Sequence, residues 1–247
     1  MKFSTSKTEL QNALQKLSKA VPTRSTLPIL GCVLIESSEK KTTLRSTDLE
    51  ITIQVEISVS LEEPGSTSVP LKTLLDITNE LPETRITIGV DDKNKVEIKT
   101  DNGEYDLMAK PSDEFPAAPE IANAQKIDVP GSMLKNIINS TSFAVSRDEL
   151  KPALTGVLFR IHNSGITAVA TDGHRLVKYS RSDFNPKGFN GDMIIPRKFL
   201  SFMSTQLTEE KVELLIGENH VIAKMGNDMI VTRINKLKNL DIEIIII

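Results

Sequence analysis

Apolar residues switch twice between a helical and an extended spacing, and the second half of the chain repeats the switches of the first. Leu10, Leu14 and Leu17 recur at helical spacing across residues 6–19, as Leu134, Ile137 and Ile138 do across 132–142. Ser6 and Gly131 stand near the two helix starts. Each helix follows a short strand, at 2–4 and 126–129, and leads into a loop, at 22–28 and 146–152. Extended runs come next, at 29–36, 41–46 and 50–57 in the first half and at 156–162, 165–170 and 176–180 in the second. Within Ile51-Thr52-Ile53-Gln54-Val55 apolar and polar positions alternate, as a half-buried antiparallel strand requires. A proline in the first turn then opens a second helix, 71–80 and 197–205, where its missing N–H would have no partner anyway. Strands at 85–90, 95–99 and 104–109, and at 211–216, 220–224 and 228–233, complete the halves. Each half is therefore expected to be an α+β unit with two helices packed on one face of an antiparallel sheet.

The halves agree residue by residue. Leu10 falls on Leu134, Ala20-Val21 on Ala144-Val145, Val33-Leu34 on Val157-Leu158 and Thr47-Asp48 on Thr171-Asp172, at a constant offset. The register then opens by two residues, placing Val69-Pro70-Leu71-Lys72 over Ile195-Pro196-Arg197-Lys198. Collinear agreement through helices and strands marks a duplication. The expected organisation is a first domain at 1–122, a second at 123–234 and an isoleucine-rich tail at 235–247.

Composition narrows the function. Of 247 residues, 39% are hydrophobic and 26% charged, which is globular rather than disordered. The single Cys32 excludes a disulfide framework and multi-cysteine metal sites, and its apolar strand makes it a core residue. The start, Met1-Lys2-Phe3-Ser4-Thr5-Ser6-Lys7, has no apolar stretch of a secretory signal, and the apolar run 242–247 is far short of a membrane span, so a cytoplasmic location is expected. With 30 basic against 33 acidic side chains, nucleic acid cannot be held by bulk charge, but a local basic surface remains open.

Certain segments carry a family resemblance. Met1-Lys2-Phe3, the loop Thr23-Arg24-Ser25-Thr26-Leu27-Pro28-Ile29-Leu30, Thr47-Asp48-Leu49-Glu50, Asp113-Glu114-Phe115-Pro116, Ala170-Thr171-Asp172-Gly173-His174-Arg175-Leu176 and Ile195-Pro196-Arg197-Lys198 together resemble the bacterial DNA polymerase III beta subunits, the sliding clamps. The resemblance implies the DNA clamp fold, built from three such units per chain with two chains joined head to tail around duplex DNA. It implies no catalysis and no cofactor. The implied partners are duplex DNA, the polymerase III catalytic subunit, the clamp loader and other proteins carrying clamp-binding peptides.

A protein that slides must touch phosphates and leave bases unread, which calls for mobile Lys and Arg side chains. Lys7, Lys16, Lys19 and Lys135 are such residues on helices, each also readable as a solvated helix face. By resemblance the DNA contacts are Arg24, flanked by Pro22 and Pro28, with Lys72, Arg197 and Lys198. In the second loop Asp148 and Pro152-Ala153 replace the family's polar and aromatic residues, and Arg147 stands as a substitute contact. The resemblance also implies a partner-peptide pocket on the second unit lined by Leu154, Thr171, Gly173, His174, Arg175 and Leu176: apolar floor, glycine for close approach, polar rim.

Alternatives are few. Asp172 and His174 could form the acid–base pair of a metal-assisted hydrolase or nuclease, but no nucleophile motif, Gly-rich phosphate loop, His-Glu-x-x-His or cysteine pair accompanies them. The pairs Asp91-Asp92 and Glu62-Glu63 read as solvated turns. After Arg233 the chain lacks a copy of the link Asp113–Pro116 and reads Ile234 to Asp241, then Ile242-Glu243-Ile244-Ile245-Ile246-Ile247. That end is read as a truncated or frame-shifted gene ahead of a natural two-domain variant, with impaired ring closure and, as the expected consequence, a monomer or a poorly behaved oligomer that binds DNA weakly and with strong salt dependence.

Overall fold

The computed structural model describes residues 1–119, 121–148, 150–162 and 165–234. The isoleucine-rich tail lies outside the described residues. Two compact units emerge, one of Met1–Ala118 with Asn227–Met229, the other of Pro119–Gly226 with the segment from Ile230.

In the first unit, β1 (Lys2–Ser6) runs straight into α1 (Lys7–Leu17). Ser6 caps that helix by accepting a 3.1 Å bond from the Glu9 N–H, and Leu10, Leu14 and Leu17 on one face are fully buried. There follow β2 (Cys32–Ser37), β3 (Thr42–Thr47), β4 (Ile51–Ile57), β5 (Ser60–Glu63), β6 (Gly65–Pro70), α2 (Leu71–Glu80), β7 (Arg85–Val90), β8 (Lys95–Thr100) and β9 (Gly103–Met108). Strands β5-β1-β7-β8-β9 form one antiparallel sheet, and β4-β3-β2-β6 hydrogen-bond in that order in another. The helices pack on both, α1 on β4, β3 and β1, and α2 on β2 and β6.

The second unit repeats the plan with β10 (Gln125–Pro130), α3 (Gly131–Thr141), β11 (Gly156–His162), β12 (Gly165–Thr171), β13 (Leu176–Arg181), β14 (Gly191–Pro196), α4 (Arg197–Gln206), β15 (Lys211–Ile216), β16 (His220–Met225) and β17 (Asp228–Arg233). Its strands are ordered β10-β15-β16-β17 and β13-β12-β11-β14. Helix α3 packs against α4, and Leu134, Ile137 and Ile138 on the first and Phe199, Leu200 and Met203 on the second are all buried.

Three details differ from expectation. Pro70 and Pro196 lie outside the helical turn: each is the last residue of its strand and occupies the position just before the helix, as Pro130 does before α3. Residues 29–31 are a 3₁₀ turn that starts at Pro28, whose ring fixes φ, and the strand begins only at Cys32. Strands β5, β6 and β14 carry no clear alternation and were not anticipated by it.

Candidate functional site

The hairpin between β12 and β13 is held by its own side chains. The Thr171 hydroxyl accepts from the Gly173 N–H (3.1 Å) and donates to the Arg175 carbonyl (2.8 Å), while Asp172 Oδ1 accepts from the N–H groups of His174 (3.0 Å) and Arg175 (3.1 Å). Gly173 has φ +89°, the left-handed region in which glycine is least strained. The His174 N–H, the Arg175 N–H and the Arg175 guanidinium together hold the Asp172 carboxyl below its ordinary range. Asp172 and His174 thus meet through the backbone of His174, with the carboxylate committed to the turn and to Arg175 Nε at 3.0 Å. That is the geometry of a structural turn rather than of an acid–base pair.

Arg175 extends the rim. Its Nη2 donates to the Phe143 carbonyl at 2.6 Å, and its guanidinium carbon lies 5.5 Å from the centre of the Phe143 ring, itself about half exposed. Below the rim, Leu158 pairs with Val169 on one side and Ile194 on the other, so the three form a line across β12, β11 and β14. All three are buried, and Leu176 and Ala153 pack against them. Gly156 makes this floor possible, because a Cβ there would lie 2.6 Å from the Ile194 side chain and 2.6 Å from the Ile195 carbonyl oxygen.

Of the expected pocket residues, Leu176 joins the apolar floor, Thr171, Gly173 and Arg175 build the turn, and His174 presents an exposed ring. Leu154 is half-buried at the end of the 3₁₀ turn Pro152–Leu154, whose carbonyl accepts from the Ser146 N–H at 2.9 Å. Leu158, Val169, Ile194, Ala153 and Phe143 were missed. The first three sit in buried strands that read as plain core, and Phe143 meets Arg175 across 32 residues of chain.

The expected DNA contacts fall into two settings. Arg24 and Arg147 are exposed on loops, the first between the turns Ser18–Ala20 and Pro28–Gly31, the second just after Ser146. Lys72 lies in the first turn of α2, and Arg197 and Lys198 in the first turn of α4; neither turn contains an acidic residue. Cations at the positive end of a helix are unfavourable by themselves, and an anion there would relieve them. Lys198 is exposed, yet partial desolvation draws its ammonium below the ordinary lysine value. Among the described residues no group of three or more His, Cys, Asp and Glu side chains could hold a metal ion, and no helix is long and apolar enough to cross a membrane.

A tandem α+β unit with two helices against antiparallel sheets is the DNA clamp fold. The chain belongs to the DNA polymerase III beta subunit family: residues 1–119 match its N-terminal domain and residues 128–236 its central domain. The beta sliding clamp of Chlamydia muridarum is 31% identical over 235 residues, 95% of this chain and 64% of that protein. A putative DNA polymerase III beta subunit from Eubacterium rectale superposes with a TM-score of 0.92 at 28% identity, covering 98% of this chain and 67% of the other. A sliding clamp from Pseudomonas aeruginosa bound to griselimycin does so with a TM-score of 0.90 at 30% identity, again covering 98% and 67%.

Proposed function

We propose that this chain acts as a sliding-clamp subunit in the cytoplasm, a non-catalytic tether that keeps a polymerase near its primer end. Residues 1–122 and 123–234 are its first two clamp domains. The observation that carries the reading is the line Val169–Leu158–Ile194 with Leu176 beside it, closed at one rim by the Arg175–Phe143 stack. An apolar floor with a polar rim suits a short peptide with apolar anchors, and tethering by such a peptide raises local concentration without chemistry. Leu154, Thr171, Gly173, His174, Arg175 and Leu176 line the groove in this proposal.

Arg24, Lys72, Arg147, Arg197 and Lys198 contact phosphates of duplex DNA without reading sequence. Support comes from their exposure on loops or their place at helix starts that carry no acid. Two measurements test the function. A labelled clamp-binding peptide from the replicative polymerase binds the chain, and Leu176→Ala weakens it by about fivefold through lost apolar contact; equal binding by the variant would remove the groove from the proposal. Binding to duplex DNA falls steeply with salt, and Arg24→Ala lowers the slope of log affinity against log salt by about 1. Retention on circular DNA with loss on linearised DNA would show that the assembled protein encircles its substrate.

A further inference from the structure

The first unit has the same three-residue line across its sheet as the second, with polar residues at its two ends. Leu34 pairs with Arg45 on β3 and with Ser68 on β6, the positions that Val169 and Ile194 hold around Leu158. Here the floor is covered by the chain itself. Lys110 and Ser68 exchange backbone hydrogen bonds of 2.8 and 3.1 Å, and the Ser66 and Ser112 hydroxyls meet at 2.8 Å, which straps the link against β6. The 3₁₀ turn Ser112–Glu114 then drops Phe115 onto Ile29, Leu30, Cys32 and Leu34. Phe115 is the one buried side chain in residues 111–119, with Asp113 and Glu114 exposed beside it.

The fit is apolar but incomplete. The Arg45 guanidinium carbon lies 5.7 Å from the centre of the Phe115 ring, while Arg45 Nε and Ser68 Oγ are buried without a hydrogen-bond partner. A phenyl ring leaves such a donor unpaired, whereas a carboxylate would satisfy it. Beyond the Ser66–Ser112 contact the segment is held by one buried side chain, Phe115, so Asp113–Pro116 can leave by local opening without unfolding the unit.

We propose that the first unit contains a second peptide-docking groove whose ligand class is a short acidic segment with one aromatic anchor, and that Asp113–Pro116 is its resident occupant, exchangeable for a partner segment of that chemistry. The proposal stands on the first unit alone and does not depend on the second unit's groove.

The single Cys32, buried under Phe115, reports on the groove without any engineered label. The rate at which an aromatic disulfide reagent modifies Cys32 is measured in the full chain and in the variants Phe115→Ala, Phe115→Leu and Leu14→Ala, the last a core substitution elsewhere in the same unit. Phe115→Ala is expected to react about tenfold faster, with Phe115→Leu close to the parent and Leu14→Ala slower than Phe115→Ala. A synthetic peptide of residues 110–118 at millimolar concentration is expected to slow the reaction of Phe115→Ala at least about threefold, and the same peptide with alanine for the phenylalanine to leave it unchanged. Parent-like reactivity of Phe115→Ala, equal acceleration by Leu14→Ala, or no protection by the peptide would each overturn the proposal.

Discussion

The two Thr-Asp hairpins of the molecule use one set of hydrogen bonds for different ends. In the first unit the Thr47 hydroxyl accepts from the Leu49 N–H (3.1 Å) and donates to the Ile51 carbonyl (2.9 Å), and Asp48 Oδ1 accepts from the N–H groups of Glu50 (3.0 Å) and Ile51 (2.8 Å). Thr171 and Asp172 make the same four bonds in the second. The third residue is left-handed in both, with φ +75° at Leu49 and +89° at Gly173. The fifth residue differs in role. Ile51 turns inward and is 1% exposed, whereas Arg175 turns outward and reaches Phe143. The comparison teaches that the backbone device is structural in origin, and that one outward side chain lets the second copy reach across to Phe143.

Breaking the carboxylate should separate the copies most clearly. Asp172→Ala removes two turn bonds and the hold on Arg175 together, so peptide affinity is expected to fall on the order of tenfold in an anisotropy titration, whereas Asp48→Ala leaves it unchanged. The same carboxyl sets a pH response. Since its folded-state pKa lies below the ordinary value of 3.8, its contribution to stability is complete above that value and is lost as pH falls through the lower folded value. Acid titration of thermal stability should therefore show a decline below about pH 4 that Asp172→Asn reduces in amplitude.

Exchanging the left-handed residues has a smaller effect. Leu49→Gly is expected to raise unfolding stability by about 1 kcal/mol through relief of backbone strain, and Gly173→Leu to lower it by about 1 kcal/mol, both measured by chemical denaturation. The Gly173 site has open space for a Cβ, so its cost is conformational rather than steric. The smallest change belongs to Phe143→Ala, which removes the ring under Arg175 and should weaken peptide binding about twofold, worth about 0.5 kcal/mol at an exposed site.

Much of this was legible in the residues themselves. The helical period of Leu10, Leu14 and Leu17 found α1, and the repeated Thr-Asp placed the two hairpins at matching positions. Strands β6 and β14 escaped for opposite reasons. In β6 the buried residues Thr67 and Ser68 are polar, so no apolar alternation marks the strand. In β14 Met193, Ile194 and Ile195 are buried in succession, and a run covered on both faces has no alternation to read. The cluster around Leu158 was hidden by the same effect. Val157, Leu158 and Phe159 are all buried, and only the packing of Leu158 with Val169, Ile194, Ala153 and Leu176 sets it apart from its neighbours.

The strand-to-helix corners carry a consequence for engineering. Among the described residues the four α-helices each begin on the residue after a strand, three of them directly behind a proline at position 70, 130 or 196. With no connecting loop, there is no slack to absorb an added residue, and an insertion there would rotate the whole helix about its axis by about 100° and bring polar side chains to the core. New termini, affinity handles or fused domains belong instead at the exposed hairpin tips such as Glu39–Lys40, where the sheet hydrogen bonding has already ended.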